Sequence, residues 1–155
     1  MKTIKLSCAH ALFKYLIAQK TMIDGKKAPL FPGAFAIYGH GNVACLGQAM
    51  EEFQSDLPGY RGHHEQSMAL TGIGYARAMR RKQIFIATSS VGPGATNMVT
   101  AAGVAMSNRL PILLLPGDTL LVVSLILSYN KLKILIHLLK QQMMHLNLYR
   151  VILIE

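Results

Sequence analysis

Two stretches, YRGHHEQSMAL (residues 60–70) and TSSVGPGATNMVTAA (residues 88–102), decide the fold. In the first, a loop through Gly62, His63 and His64 delivers one acid, Glu65, to the start of a helical run. Met68, Ala69, Gly72, Ile73 and Ala76 then recur at helical spacing, which predicts a helix over 65–81. In the second, the apolar run QIFIAT (83–88) passes through a Gly-Pro-Gly turn into small residues that predict a helix over 94–107. A strand that turns straight into a helix is half of a βαβ unit.

Working outward, the same grammar repeats. Residues 4–19 carry Leu6, Ala9, Leu12, Phe13, Leu16 and Ile17 on one stripe, so a first helix is expected there. IDGKKAPLFPG (23–33) reads as a turn-rich linker. AFAIYG (34–39) reads as a buried strand, GHGN (39–42) as the loop after it, and the next residues as a helix to about Glu52. SDLPGYRG (55–62) is a loop holding a short strand, and ILLLPGD (112–118) a strand followed by a turn. The fold class is therefore α/β, a parallel sheet flanked by helices with right-handed crossovers. Its strands are continuous apolar runs, as expected when both faces are covered. In such sheets ligands sit at the carboxyl ends of strands, which is where GHGN and SSVGPGATN fall.

At 155 residues one domain is expected, and 52% hydrophobic with 15% charged residues excludes a disordered chain. The formal charge of +9 would admit an anionic partner, but the basic residues are scattered. The one tight cluster, Arg77, Arg80, Arg81 and Lys82, ends a predicted helix, where cations complement the helix dipole. No nucleic-acid partner is expected. Cys8 and Cys45 lack metal or redox spacing, which points to a reduced, cytoplasmic chain. The N-terminal 20 residues make no convincing signal peptide, because Lys14 interrupts the apolar stretch. No run reaches the roughly 18 apolar residues of a spanning helix, so no membrane partner is expected.

The chain changes character after Thr119. Residues 120–155 contain no Gly, Pro, Ala or Asp, and leucine fills 11 of these 36 positions. Three readings stand: an interfacial or core helix in KLKILIHLLKQQMMHLNLYR, a docking tail, and out-of-frame translation after a frameshift. The division expected is a partial α/β domain at 1–119 and an atypical apolar tail at 120–155.

Glu65 on its own reads as a surface acid favoured by the helix dipole. Its glycine-lined, apolar setting also suits a carboxyl that must exchange a proton. SSVGPGATN could cradle phosphate at a helix N-terminus, or simply be a tight turn. It has neither the Lys-Ser/Thr of a P-loop nor GxGxxG spacing. The six histidines form no zinc-type set, so no metal ligands are expected, and no GxSxG elbow marks a serine nucleophile.

Taken together, PGAFAIYGHGN (32–42), GYRGHHEQSMA (59–69), TSSVGPGATNMVTAA and RLPILLLPGDT (109–119) resemble the N-terminal pyrimidine-binding domain of thiamine-diphosphate enzymes. That group includes acetolactate synthases, pyruvate oxidases and benzoylformate decarboxylases. GHGN followed by LGQAMEE, with the HEQ and SSVGPG forms, looks most like the inositol-catabolism branch, whose members hydrolyse a ring C–C bond of a cyclic trihydroxy-dione. The resemblance covers residues 1–119 and implies an incomplete domain of that kind. It implies that Glu65 is the cofactor-activating acid, bonded to N1′ of the aminopyrimidine so as to favour its imino tautomer. It further implies cofactor-binding positions at Gly39, His40, Gly41, Asn42, Ser90, Gly92 and Asn97. In that family the diphosphate and Mg²⁺ are held by a separate C-terminal domain with a GDG…N motif, across a subunit interface in a homo-oligomer. PGDT (116–119) is not that motif. The fragment is expected to be inactive alone and to bind thiamine diphosphate and Mg²⁺ only weakly. Two alternatives remain: a fragment of an acetolactate synthase-like enzyme, and a non-catalytic binding module.

Overall fold

The computed structural model describes residues 4–117. The expectations for the tail at 120–155 lie outside the described residues. Helix α1 (Cys8–Ala18) is started by Ser7, whose hydroxyl accepts from the His10 N–H at 3.2 Å. It is shorter than the 4–19 expected, and it buries Ala9, Phe13 and Leu16.

The expected linker is instead a hairpin. Strands β1 (Lys20–Ile23) and β2 (Lys26–Pro29) pair antiparallel, with Ile23 opposite Lys26. Asp24 and Gly25 turn between them with φ of 49° and 78°. Positive φ at both positions matches a type I′ turn, the two-residue loop whose twist suits a hairpin.

The main sheet holds β3 (Ala34–Ala36), β4 (Gly59–Arg61), β5 (Ile86–Ser89) and β6 (Leu113–Pro116) in the order β4-β3-β5-β6. All three pairings are parallel, with Ala34 opposite both Gly59 and Ile86, and Ile86 opposite Leu113. Between the strands run α2 (Leu46–Glu52), α3 (Glu65–Ala78), the single turn α4 (Pro93–Asn97) and α5 (Val99–Ser107).

The period-2 alternation of strands splits the core between two faces. Ala34, Ala36, Ile86 and Leu113 meet α1 and α2 through Phe13, Leu16, Ala49 and Met50. Ala87 and Leu114 point the other way, against Ala69 and Ile73 of α3 and Ala101, Ala102 and Ala105 of α5. Alanine at these contacts lets helices lie close to the sheet.

The expected helix over 65–81 stops at Ala78. Arg80 and Arg81 take φ of 50° and 64°, and the Arg81 N–H turns back to the Ala76 carbonyl at 2.7 Å. The left-handed cap is made by arginines rather than glycine, so the sequence carries no stop signal there. The helix expected over 94–107 breaks at Met98, which is buried in the second core and caps both α4 and α5. The strands are shorter than the apolar runs that encode them. Gln83, for example, lies before β5 and binds the Pro29 carbonyl and the Tyr75 hydroxyl through its side chain.

One residue pins the loop after β3 to the sheet. Asn42 is 2% exposed; its Oδ1 accepts from Gly39 N–H, and its Nδ2 donates to the Ile37 carbonyl and the Thr88 hydroxyl of β5. Asn42→Ala leaves those buried groups without partners and should cost about 1–3 kcal/mol. Urea denaturation should show the lower midpoint; an unchanged midpoint would mean that the amide does not hold the loop.

Candidate functional site

The chain leaves β3 through α2 toward β4 on one side, and leaves β5 through α4 and α5 toward β6 on the other. Neighbouring parallel strands whose connections part in this way open a crevice beyond their carboxyl ends. Residues 37–45 and 90–92 follow β3 and β5 into that crevice. The two loops touch: the Val91 N–H donates to the His40 carbonyl at 3.0 Å, and the Gly117 N–H beyond β6 donates to the Ser89 carbonyl at 2.8 Å.

Close approach explains one glycine here. A Cβ on Gly39 would lie 2.7 Å from the Ser90 Cβ, so the two loops could not meet as they do. Gly92 caps α4 at φ 64°, ψ −113°, a conformation that side chains rarely adopt. Gly41 sits in the turn with φ 93°.

Glu65 enters from α3, whose first turn holds it half-buried. His64 closes that helix end, its Nδ1 accepting from the Ser67 N–H at 3.3 Å. The Glu65 carboxylate meets the β5–α4 segment: Oε2 accepts from Asn97 Nδ2 at 2.9 Å. A Cβ on Gly94 would lie 3.0 Å from Glu65 Oε1 and 2.7 Å from Ser90 Oγ. The apolar stripe expected to surround the acid, Met68, Ala69, Gly72, Ile73 and Ala76, is buried along the body of α3. What touches the carboxylate is the GPGATN segment.

The fold thus gathers the sequence-predicted positions into two groups. Glu65, Ser90, Gly92 and Asn97 meet at α4. Gly39, His40, Gly41 and Asn42 form the opposing loop, in which Asn42 spends its amide on the protein and His40 is exposed. One further residue belongs here, Gly94; its place in GPG is the only sequence signal for it. Tyr38, directly before the GHGN loop, turns its hydroxyl to Met50 Sδ of α2 at 3.5 Å. Partial burial, with Glu51 adding to it, holds the Tyr38 phenol above its usual range. It therefore stays a neutral donor through the physiological range.

The donor set defines what the crevice suits. Residues 37–45 and 89–98 contain one buried amide, a second amide, hydroxyls, the exposed imidazole of His40, the Cys45 thiol and backbone groups, but no Lys or Arg. Facing them is one carboxylate. Such a set fits an uncharged, hydrogen-bonding aromatic ring such as an aminopyrimidine. It offers a diphosphate neither Lys nor Arg, and α4 is only five residues long. Among the described residues no group of three or more His, Cys, Asp or Glu could hold a metal ion, and no helix is long and apolar enough to cross a membrane.

Comparison with known proteins identifies the family. Residues 33–121 match the family described as thiamine pyrophosphate enzyme, N-terminal TPP binding domain. A 3D-(3,5/4)-trihydroxycyclohexane-1,2-dione hydrolase of Clostridium tetani is 53% identical over 119 residues, which are 77% of this chain and 18% of that protein. A hydrolase of the same name from Geobacillus thermodenitrificans is 53% identical over 118 residues, 76% of this chain and 18% of its own length. The Listeria innocua counterpart is 48% identical over the same shares. The chain spans less than a fifth of the length of these relatives. A match covering more than half of the residues, with relatives about half identical over three quarters of the chain and a parallel α/β sheet consistent with it, shows that the chain belongs to the thiamine pyrophosphate enzyme family and carries its N-terminal TPP-binding domain.

Proposed function

We propose that this chain supplies the pyrimidine-binding half of the active site of a hydrolase that opens the ring of 3D-(3,5/4)-trihydroxycyclohexane-1,2-dione in inositol degradation. The observation that carries the proposal is Glu65, a half-buried carboxylate that meets the Gly94–Asn97 turn beyond the carboxyl end of β5, in loops that lack Lys and Arg. The names of the relatives at 48–53% identity support the cyclic dione as substrate over the acetolactate synthase-like alternative. Cys8 and Cys45 are both free, which suits a cytoplasmic location.

Thiamine diphosphate, when bound, supplies an electron sink for cleavage of a carbon–carbon bond. This chain's share is binding and proton handling at the pyrimidine end. Glu65 holds or releases a proton toward the N1′ position of that ring. The loop at Gly39–Asn42 and the turn at Ser90–Gly92 wall the ring and exclude water, and Asn42 keeps the first of them in place. Anchoring of the phosphates and Mg²⁺ is assigned to another domain, in a homo-oligomer whose active sites lie between subunits, because the donor set here does not suit them. On this proposal the 155-residue chain is inactive alone.

Two results are expected. Isothermal titration of the isolated chain with Mg²⁺ and thiamine diphosphate should show no tight binding; a micromolar or lower Kd would refute the division of labour. In a full-length relative, Glu65→Gln should lower kcat by about 10²-fold or more, the usual scale of a lost proton-transfer group. Near-normal turnover would remove Glu65 from its assigned role.

A further inference from the structure

Glu65 is the first residue of its helix and half-exposed, so nothing in α3 alone sets the direction of its carboxylate. What sets it is α4, 32 residues further along the chain. A carboxylate only accepts hydrogen bonds, so the Asn97 amide must turn its nitrogen toward Glu65, and the 2.9 Å contact at Oε2 is an N–H···O bond. The same nitrogen lies 3.2 Å from His64 Nε2. A neutral imidazole accepts at one nitrogen only, and His64 Nδ1 already takes the Ser67 N–H at the helix cap. One of the two hydrogens on the Asn97 nitrogen is therefore given to Glu65.

Gly94, one helical turn before Asn97, completes the arrangement from the other oxygen. Oε1 reaches to 3.0 Å from where a Cβ on Gly94 would stand, and Ser90 Oγ would lie closer still, at 2.7 Å. A side chain at 94 would crowd both Ser90 Oγ and the Glu65 carboxylate. Resting on the reading of Glu65 as the acid that faces the pyrimidine, we infer that Asn97 and Gly94 are positioning residues for Glu65. Asn97 fixes Oε2 as the acceptor-only oxygen, and Gly94 gives Oε1, the oxygen left to exchange a proton, its clearance. On this inference the GPGATN segment acts on the ligand through Glu65, by aiming a carboxylate. Met98 ends α4 immediately after Asn97.

The test is NMR of the 155-residue chain at neutral pH, with 15N in the side-chain amides and 13C in the glutamate carboxyl groups. In the wild type, one Asn97 amide proton should be displaced from the position of a solvent-exposed amide, and Glu65→Ala should abolish the displacement. Asn97→Ala should move the Glu65 carboxyl signal while the circular dichroism spectrum and thermal midpoint stay put; Asn97→Ser, which keeps a donor, should return it most of the way. Gly94→Ala should move the same signal from the other side, and serves as the second probe if Asn97→Ala fails to fold. An Asn97 amide indifferent to Glu65→Ala, or a Glu65 signal unmoved by both Asn97→Ala and Gly94→Ala, overturns the inference. No cofactor is needed, so this failure leaves the functional reading standing. Failure of that reading shows instead as normal turnover of the Glu65→Gln enzyme.

Discussion

The parallel pairing of β3 with β5 is the constraint on which the rest depends. Ala34 lies opposite Ile86 and Ala36 opposite Thr88, although about fifty residues separate the two strands. That pairing puts β3 beside a strand whose connection leaves in the opposite direction, and a crevice results at the shared carboxyl end. Small side chains make it possible. Ala34, Ala36 and Ala87 are fully or almost fully buried and let helices approach from both faces. The same register brings Thr88 within reach of Asn42, so the strand pairing and the loop that walls the crevice stabilise one another.

Charge is distributed along the same axis. The α3 helix runs antiparallel to the strands, as βαβ connections require. Its N-terminus brings Glu65 to the crevice, and its C-terminus carries Arg77, Arg80, Arg81 and Lys82 to the far end of the sheet. Net charge of +9 therefore says little about the site itself, where the Glu65 carboxylate meets an amide and lies near the His64 imidazole, with no Lys or Arg in the adjoining loops. On the proposed reading, such a site recognises a ring by hydrogen bonds and shape.

Much of this was legible in the sequence, and the exceptions have physical causes. The apolar runs marked three of the four sheet strands because both faces of the sheet are covered there. Strand β4, at the sheet edge and largely exposed, carries no such run and was legible only as a short strand within a loop. Glu65 and the GPG turn stood out because an acid and two glycines break an apolar, small-residue pattern. The β1–β2 hairpin was missed although Asp24-Gly25 is a hairpin signal, because Lys20, Lys26 and Lys27 mask the strand alternation around it. The end of α3 was invisible because arginines occupy left-handed positions that glycine usually marks. The Glu65–Asn97 bond spans 32 residues and depends on where α4 stops, which no local pattern encodes.

The central claim is that the crevice between the β3 and β5 loops receives an aminopyrimidine ring against Glu65. Two-dimensional 15N–1H shift mapping of the chain with thiamine, which carries the ring without the phosphates, tests it most directly. Weak binding at millimolar concentrations is predicted, with shifts concentrated at Gly39–Asn42, Glu65 and Ser90–Asn97. Shifts centred on the arginine cluster or the hairpin, or none at the crevice at saturating thiamine, would contradict it.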